Sequence, residues 1–599
     1  MLLCVKVTHA GSATWNLNPT SDDWNTAANW TPATVPNGPT DVATFAASSV
    51  NQVTFSALTT EVAEVIFNSA ATSSFNISVE AAKTLTISGV GVVNNSGVTQ
   101  SFSIGPSLNA QEGLINFQNT ATAGTSNVTY TAYGAAGNGS GGSGAGFFQN
   151  STAGSATFIA QGATHGLDVG GGFFGFNDNS TAGNAHFTIN GAQNNGGFGG
   201  SVGFGDFATA GNAVFVLNPG MGPQLDSGSM GFSGNATAGN GVFTLNPTTG
   251  IEFLDAATAG NGFFMNMGGG VTFGGFTFTG LITTAGNATI INEGGKAAGS
   301  FGGATIFYTG ATAGQALLVA NGGENGGGPG FIKFDNDSDG GEAQIEVYGD
   351  GYLDISFRLT PSVTIGSLAG DGFAYLGSNN LTVGSNNLDT TFAGIIQEDG
   401  GTVNGSHGSL TKIGTGTLSL SGANTYTGGT SVNEGTLKVA NTSGSGTGTR
   451  DVEVNAGTLG GNGIIAGSVT VGTGSGTGAF LAPGAGATNT STLTIQRALT
   501  IKADGTYRYR LKTKRAEADQ VIANGVTIEN GGQFSFKQLA NKQLTAGTVF
   551  TAIDNTSANP ISGTFANLPD DSTFVVGNNT YQADYQGADG NDLTLTVVP

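Results

Sequence analysis

Apolar and polar residues alternate with a period of two along short segments of this chain, and this pattern predicts β-strands. In the segment 185–190, which reads Ala-His-Phe-Thr-Ile-Asn, the apolar residues share one face and the polar residues share the other. Segments 213–217, 241–245, 316–320 and 343–347 follow the same pattern. Glycine and β-branched residues interrupt every longer candidate, so no long helix is expected.

A polar turn of the form Thr-Ala-Gly-Asn precedes these strands and recurs nine times, the last copy altered, at spacings of 21 to 30 residues. A period in this range is typical of stacked repeats. Glycine suits the turn because a repeated sharp corner needs a positive φ angle. The turn glycines are Gly124, Gly154, Gly183, Gly211, Gly239, Gly260, Gly286, Gly314 and Gly341.

Two apolar positions keep a fixed distance from the turn glycine. Four residues after it stand Val128, Phe158, Phe187, Phe215, Phe243, Phe264, Ile290, Leu318 and Ile345. Seven residues before it stand Phe117, Phe147, Phe176, Phe204, Phe232, Phe253, Phe307 and Phe334, with Thr279 as the exception. We expect a second short strand to end at each of these phenylalanines.

A unit of two short strands cannot bury its apolar face alone, whereas stacking on copies above and below would bury it. The pattern therefore predicts an all-β fold, a right-handed parallel β-helix. Since like residues would lie above one another, the phenylalanines should form an aromatic stack. Asn190, Asn218, Asn246 and Asn321 should form an amide ladder.

Composition and charge narrow the function classes. With 104 glycines, 38 phenylalanines and only 9% charged residues, the chain has the composition of neither a disordered protein nor a collagen. The formal net charge of −22 argues against nucleic acid as a partner. Cys4 is the single cysteine, so no internal disulfide is possible. No apolar run reaches 18 residues, and we predict no membrane-spanning helix.

The N-terminal part differs from the repeats. It holds all three tryptophans, Trp15, Trp24 and Trp30, which we interpret as an aromatic cap on the end coil. The segment from Met1 to Val5 resembles the end of a signal peptide with a cleavage point after Ala10, so we expect a truncated or misassigned start. A cytosolic protein that begins at Met1 is the alternative.

Five regions are predicted. They are 1–112, the N-terminal cap and first coils; 113–349, the β-helix with nine repeats; 350–409, connecting coils; 410–496, a second set of repeat coils; and 497–599, the C-terminal coils and cap.

Residues 410–439 read LTKIGTGTLSLSGANTYTGGTSVNEGTLKV. This segment resembles the autotransporter-associated β-strand repeat, above all in the core from Ser421 to Thr430 and in Gly435-Thr436-Leu437. The following Gly457–Gly463, Leu481-Ala482-Pro483-Gly484 and Asp519-Gln520-Val521 are similar to the usual continuation of autotransporter passengers. The resemblance covers most of the chain and is strongest over 410–599.

The resemblance implies a passenger that is exported to the surface of a diderm bacterium, either extracellular or associated with the outer membrane. Passengers of this kind are typically adhesins, matrix proteins or scaffolds that carry a grafted enzyme. The family's C-terminal translocator barrel, an expected partner, has no counterpart up to Pro599. We expect a piece of a longer protein, release by another route, or the loss of a sorting tail. The motif is structural, so the resemblance transfers no catalytic residue.

The segment from Asp335 to Gly340, Asp-Asn-Asp-Ser-Asp-Gly, matches the calcium loop of EF-hands, with Glu346 as a further candidate ligand. Its flanks predict strands rather than helices, and the repeat places Glu346 away from the loop. We predict no metal, no cofactor and no catalytic residue. Calcium at Asp335, Asp337 and Asp339 stays open beside a solvated acidic turn. The single Gly587–Asp592 motif, which resembles one calcium-binding nonapeptide, predicts a structural turn.

Nine of the 17 basic residues fall between Arg497 and Lys542. The segment Tyr507–Arg515 predicts a strand with Arg508, Arg510, Lys512 and Lys514 on one face. The alternatives are a contact for an anionic glycan or lipopolysaccharide, internal pairing with acidic coils, and a solvated face that discourages edge pairing. The four histidines have no metal-binding spacing, and neither a nucleophile elbow nor a phosphate-binding loop occurs.

Two functions remain open. The favoured one is a surface-displayed or secreted rod without catalysis that binds surface glycans or other cell-surface molecules in adhesion, matrix or display. The alternative is a carbohydrate-active enzyme, a polysaccharide lyase or hydrolase, for which carboxylates would have to converge from different coils. An inert spacer is a third possibility.

Overall fold

The computed structural model describes residues 11–106, 111–137, 141–165, 168–222, 226–274, 282–476, 478–485 and 489–599. The predicted leader with Cys4 and His9, and also Thr279, lie outside these residues. The chain forms two compact units, Met1–Thr312 with Glu324–Gly328, and Ala313–Gly323 with Pro329–Pro599. The described helical structure is a single 3-10 turn at Ala27–Asn29, so no helix in the described part could cross a membrane.

The first unit is built from two stacked sheets. One contains strands Ala13–Trp15, Trp30–Thr31, Gly38–Phe45, Thr59–Phe67, Thr84–Asn94, Leu114–Phe117, Gly144–Phe147, Phe173–Phe176, Ser201–Phe204, Ser229–Phe232, Gly250–Phe253, Gly270–Phe273 and Ala304–Phe307. The other contains Gln52–Val53, Asn76–Val79, Gln100–Ile104, Val128–Ala132, Thr157–Ala160, His186–Ile189, Val214–Leu217, Val242–Leu245, Phe263–Asn266 and Thr289–Asn292.

Successive coils of the first unit pair in parallel, with the register that the repeat predicts. Phe176 lies opposite Phe204, which lies opposite Phe232. Their ring centroids are 4.7 and 4.8 Å apart, and the side chains are buried. Stacked rings, parallel strands and period-two burial together confirm the predicted all-β parallel β-helix.

The alternating segments form a second aromatic stack. Phe187, Phe215 and Phe243 stack at 4.7 and 4.9 Å, and their rings meet the first stack edge to face at about 6 Å. Such edge contacts are favourable because the positive ring edge faces the negative ring face. Two interlocking stacks therefore fill the core of these coils.

The structure corrects two positions of the predicted pattern. Phe273 continues the first stack between Phe253 and Phe307, with its ring centroid 4.8 Å from each, although it stands further before Gly286 than the other phenylalanines stand before their turn glycines. In the first repeat, Tyr130 rather than Val128 lies opposite Phe158, although Val128 is buried as well. Insertions within a coil change the count of residues but preserve the stack.

The Thr-Ala-Gly-Asn turn has a local explanation. The threonine hydroxyl accepts a hydrogen bond from the glycine N–H two residues later, at 3.0 Å in Thr181 and Gly183. The intervening alanine is buried, and the glycine φ is +62°. A Cβ atom on Gly183 would lie 2.6 Å from the carbonyl oxygen of Gly154 in the coil before, so both φ and space require glycine.

The three tryptophans, which we predicted to form a cap, pack together in one aromatic cluster. Trp30 packs against Trp15 and Trp24, each at 5.0 Å between ring centroids, and all three are buried. Their indole N–H groups donate to backbone carbonyls, including Trp24 Nε1 to Pro36 O at 2.9 Å. All three rings pack against Phe45. They can be buried because each indole N–H has a hydrogen-bond partner.

The second unit holds four sets of strands. The first contains Phe331–Phe334, Tyr352–Asp354, Phe373–Tyr375 and Ile395–Gln397. The second contains Leu317–Ala320, Gln344–Val347, Ser367–Gly370, Thr390–Phe392, Thr417–Leu420, Thr436–Val439, Gly457–Gly461, Ala479–Ala482, Gly505–Lys512, Glu517–Ala518 and Gln533–Gln538. The third contains Ser362–Ile365, Asn380–Val383, Ser409–Lys412, Thr430–Val432, Val452–Val454, Val469–Val471, Leu499–Ile501 and Val526–Ile528. The fourth contains Ile464–Ile465, Thr492–Ile495, Gln520–Ala523, Val549–Asn555, Thr573–Val576, Asn579–Gly587 and Asp592–Val598.

Pairing within the second unit is mostly parallel. The exceptions are the short strand Glu517–Ala518, which pairs antiparallel with Gly505–Lys512, and the last strands, which pair antiparallel with one another. Asn579–Gly587 pairs with both Thr573–Val576 and Asp592–Val598 in this way. The Gly587–Asp592 segment lies at one of these hairpin ends, where the Asp592 carboxylate accepts a hydrogen bond from the Asn555 N–H at 2.9 Å.

Candidate functional site

Rows of amides run along the first unit on two sides. The predicted ladder joins Asn190, Asn218 and Asn246, with each amide donating to the previous residue at 2.9 Å and Asn190 donating to Gln161 at 3.0 Å. Met267 occupies the next position, because its N–H bonds to Leu245 O as that of Asn246 bonds to Leu217 O. The predicted member Asn321 lies in the second unit.

A second amide ladder, which the sequence analysis missed, consists of the asparagines of the turn motif itself. Asn184, Asn212, Asn240, Asn261 and Asn287 are linked by hydrogen bonds of 3.1, 3.1, 3.1 and 3.3 Å. This ladder lies at the surface. The asparagine is the fourth residue of the Thr-Ala-Gly-Asn motif, so the sequence contained the information. Because the coils stack in register, these asparagines lie in an exposed row.

The predicted basic strand is shorter than its sequence suggests. It runs over Gly505–Lys512, and the chain then turns into the antiparallel strand Glu517–Ala518, so Lys514 belongs to an exposed hairpin turn. Tyr507 and Tyr509 are buried, as the alternation predicts. The strand face therefore presents Arg508, Arg510 and Lys512, and the charges on it have different surroundings.

Arg510 is committed to an internal ion pair. Its Nε and Nη2 donate to the two carboxylate oxygens of Asp519 at 2.8 and 3.1 Å, and Nη2 also donates to Asn489 O at 2.7 Å. The Asp519 side chain has no exposed surface. A Cβ atom on Gly484 would overlap the guanidinium, which explains the glycine of the Leu-Ala-Pro-Gly motif.

Arg508 is placed differently. Its guanidinium carbon lies 3.2 Å from the centroid of the Phe480 ring, a cation–π contact on the outer face of the sheet. Burial lowers the pKa of Arg508 from its ordinary value. Among the described residues, no carboxylate lies within ion-pairing distance of Arg508 or of the exposed Lys537.

These two cations line a groove of about 470 Å³ on the outer face, which we call the basic groove. Thr436 and Thr458 contribute hydroxyl groups from two further strands, and they lie opposite each other in register. The turn of Ala482 and Gly484 contributes another part of the lining. The arrangement can donate hydrogen bonds to an anion and accept them from hydroxyl groups.

The acidic segment 335–340 forms a turn whose first carboxylate is buried. Asp335 Oδ2 lies 2.9 Å from Lys333 Nζ. Burial raises the pKa of Asp335, although the hydrogen bond and charge of Lys333 oppose the shift. Asp339 instead accepts hydrogen bonds from the backbone N–H groups of Thr364 and Gly341 at 3.0 and 3.3 Å.

A guanidinium from the following coil lies against this acidic turn. Arg358 Nη2 donates to Ser338 O at 2.8 Å, and the negative charges of Asp339, Asp337 and Asp335 favour its charged form. Burial nevertheless lowers the pKa of Arg358. Arg358 thus supplies positive charge to the same three aspartates that the calcium interpretation would use as ligands, and the local motif could not reveal this interaction.

The other candidate ligand of this motif points elsewhere. Glu346 Oε2 accepts a hydrogen bond from the Tyr348 hydroxyl at 2.9 Å, next to the buried Ile345. Within the described ranges, no group of three or more His, Cys, Asp or Glu side chains is placed to hold a metal ion. Calcium at Asp335, Asp337 and Asp339 stays an untested alternative to the solvated acidic turn.

A further buried carboxylate, that of Asp354, lies one coil after the acidic turn, on the strand that pairs with Phe331–Phe334. The carboxylate accepts hydrogen bonds from the Ser356 N–H at 2.8 Å and from the Thr402 N–H and hydroxyl at 2.8 and 2.7 Å. The side chain is buried. This geometry fixes a loop against the coil and occupies both carboxylate oxygens.

Residues 410–439 match the family model of the passenger-associated transport repeat. The chain carries an autotransporter passenger repeat. The match is to a repeat associated with transport and not to a catalytic family. No curated protein matches the chain.

The passenger repeat is structural in its contacts. Lys412 is buried, and its Nζ donates to the carbonyl oxygens of Ile413, Gly414 and Glu434. Burial lowers its pKa to about 8. The motif lysine therefore joins the turns of neighbouring coils.

The buried amide of Asn424 has the same kind of role in the passenger repeat. It accepts from the Ile396 N–H at 2.8 Å and donates to Gly446 O at 2.6 Å. These backbone groups belong to the coils before and after it. The most specific part of the repeat motif thus fixes the stacking of successive coils.

Proposed function

We propose that this chain is a non-catalytic passenger, displayed at the surface of a diderm bacterium or secreted from it, that acts in adhesion, in an extracellular matrix or as a scaffold. The passenger repeat supports export to the cell surface. The proposed role at that surface depends on the outward rows of the β-helix.

The observation that carries the proposal is the exposed ladder from Asn184 to Asn287. It repeats one hydrogen-bonding group on five coils, at a spacing set by strand pairing, roughly 4.8 Å. Repetition of one group favours many weak contacts made together, because a second contact on the same ligand is intramolecular. A surface of this kind suits attachment or assembly better than the conversion of one small substrate.

Display and attachment can be tested directly. Intact cells that express the gene should bind an antibody raised against the purified chain, and external protease should remove the signal. Beads coated with the purified chain should attach to cells or to extracellular material above an albumin-coated control. Failure of both cell labelling and bead attachment would contradict the proposal, while labelling without attachment would indicate an inert spacer.

The alternative of a polysaccharide lyase or hydrolase is tested on the same protein. A panel of neutral and acidic polysaccharides is incubated with the chain, with and without calcium, and reducing ends and unsaturated uronates are measured. We expect no turnover, since the carboxylates of Asp335 and Asp354 are held by Lys333, Ser356 and Thr402. Clear turnover would reject the non-catalytic role.

A further inference from the structure

The basic groove of the second unit is a local exception in an acidic protein. The chain has a net charge of −22, yet Arg508 and Lys537 lie together in one groove. Clefts lined by one sign of charge concentrate ligands of the opposite sign. Arg510 also lines the groove, but its guanidinium is paired with the buried carboxylate of Asp519, so Arg508 and Lys537 provide the available positive charge.

We propose that the basic groove binds an acidic polysaccharide, a linear polymer that carries carboxylate or sulfate groups. This inference gives a partner class to the proposed surface role and rests on it. One oriented guanidinium, one exposed ammonium and neutral hydroxyl groups lie together in this groove.

The guanidinium of Arg508 is oriented in a way that favours binding of an anion. The cation–π contact with Phe480 holds the guanidinium on the ring, and its N–H groups lie in the plane of the guanidinium, where they can donate to two oxygens of one carboxylate or sulfate. A planar fork held in one orientation loses less conformational entropy on binding than a free side chain. Arg508 would therefore be the main contact for a charged sugar.

Lys537 adds a second charge on the neighbouring strand. The register places Arg508 opposite Ser535 and Arg510 opposite Lys537, so Lys537 is diagonal to Arg508 on the same outer face. Diagonal neighbours of this kind lie roughly 7–8 Å apart, so neighbouring acidic groups of one polymer could contact both cations. The extent of the groove over further strands, rather than the spacing of the two charges, favours a chain over an isolated ion.

The neutral part of the groove suits sugar hydroxyls. Thr436 and Thr458 continue the lining over two strands that precede Phe480 in register. From the strand of Thr436 to that of Ser535 there are four inter-strand steps, which span roughly 19 Å. A linear ligand that crosses the strands would meet hydroxyl groups first and cations afterwards.

The concave shape of the basic groove favours a polysaccharide over two other kinds of anionic ligand, a membrane surface and a nucleic acid. A flat membrane surface would contact the protruding hairpin turn with Lys514 and Arg515 before it reached a concave groove. Nucleic acid carries a dense charge along its whole length and would be repelled by the acidic remainder of the chain. Both are included as outcomes of the test.

The experiment measures binding of the purified full chain to polygalacturonate and to dextran sulfate, with neutral dextran as the reference polymer. The test variant is R508Q/K537Q, and the charge-matched control is K514Q/R515Q in the exposed hairpin. Circular dichroism and thermal unfolding establish that both variants fold. We expect binding of at least one acidic polymer, a loss of about tenfold or more in R508Q/K537Q, and a change below about threefold in the control.

Three results would overturn the proposal. Absence of binding to both acidic polymers would reject the ligand class. An equal loss in the two variants would show that net charge, and not the groove, determines binding. Tighter binding to vesicles with anionic lipid or to single-stranded DNA, lost in the same variant, would assign the groove to that ligand instead. Cell labelling and bead attachment do not depend on these results, so the surface role can stand or fall separately.

Discussion

The repeat coils of the first unit and the C-terminal coils of the second unit both contain stacked parallel strands, but their side chains are organised differently. Between Phe117 and Phe307, the inward positions repeat one aromatic residue and the turns repeat one motif. Between Ala479 and Gln538, the outward positions differ from strand to strand and include Phe480, Arg508 and Lys537. Uniform rows provide stability and repetition, whereas a local chemical site requires unlike residues on neighbouring coils.

The largest effect is expected from breaking an aromatic stack in the first unit. Phe204→Ala removes a ring that packs between Phe176 and Phe232, and should lower the free energy of unfolding by about 3–5 kcal/mol through loss of burial and the cavity left behind. Hydrogen exchange of the first-unit strands is the suitable measurement, because a chain with two compact units need not unfold in one step. The exposed Phe207→Ala is the control, and equal losses would contradict the stacked core.

In the second unit, the substitution expected to lower stability most is in a buried ion pair rather than in an aromatic stack. Asp519→Asn leaves the Arg510 guanidinium partly buried without its counter-charge and should cost about 3 kcal/mol. Denaturant unfolding followed by hydrogen exchange over the C-terminal strands measures the loss. The exposed Glu517→Gln is the matched control, and a loss no larger than in this control would show that the ion pair contributes little.

Lys412 gives the passenger repeat a dependence on pH. Its folded-state pKa is about 8, below the ordinary value of 10.5, so the unfolded chain binds more protons between these values. Stability from this group should therefore rise as pH increases from about 8 to 10.5, by about 1–3 kcal/mol. The difference in unfolding free energy between the parent and Lys412→Met, measured at pH 7 and pH 10, isolates the effect. A difference that does not change with pH would contradict it.

A smaller difference should separate the two amide ladders. Asn218→Ala removes one donor and one acceptor from the half-buried ladder and should cost about 1 kcal/mol. Asn240→Ala in the exposed ladder should cost less than about 0.5 kcal/mol, because water replaces the lost bonds. Thermal unfolding of both variants tests the order, and the reverse order would contradict the burial argument.

Calcium should have the smallest effect. Because Arg358 and Lys333 already supply positive charge to the turn of Asp335, we expect millimolar calcium to shift the unfolding temperature by less than about 1 °C. Differential scanning calorimetry with calcium and with a chelator measures the shift. A stabilisation of several degrees, lost in Asp337→Asn, would establish calcium as a ligand instead.

The sequence predicted the repeat coils well because stacking depends on one property, the apolar alternation at a fixed distance from a glycine turn. Phe187 and Phe204 could be assigned to the core in this way, and the structure buries both. Counting along the chain failed at Thr279, where an insertion separates the turn from Phe273, the ring that completes the stack. Spatial register tolerates insertions that a count of residues does not.

The candidate site could be predicted only in part. The alternation showed that Arg508 and Arg510 face outward, but the two residues have opposite situations, since Arg510 pairs with Asp519 and Arg508 stacks on Phe480. Neither partner could be inferred from local spacing, because both come from other strands. The same reason explains why the motif at Asp335 did not reveal Arg358.

The sequence by itself determined the coil, its turns and the residues of its core. The reason is that strand pairing and burial repeat with the same period as the amino-acid motif. Only the tertiary structure decided which charges are neutralised and which remain available. A charge is neutralised by a neighbour on another coil, and the distance between such neighbours is set by stacking and loop length rather than by their separation along the chain.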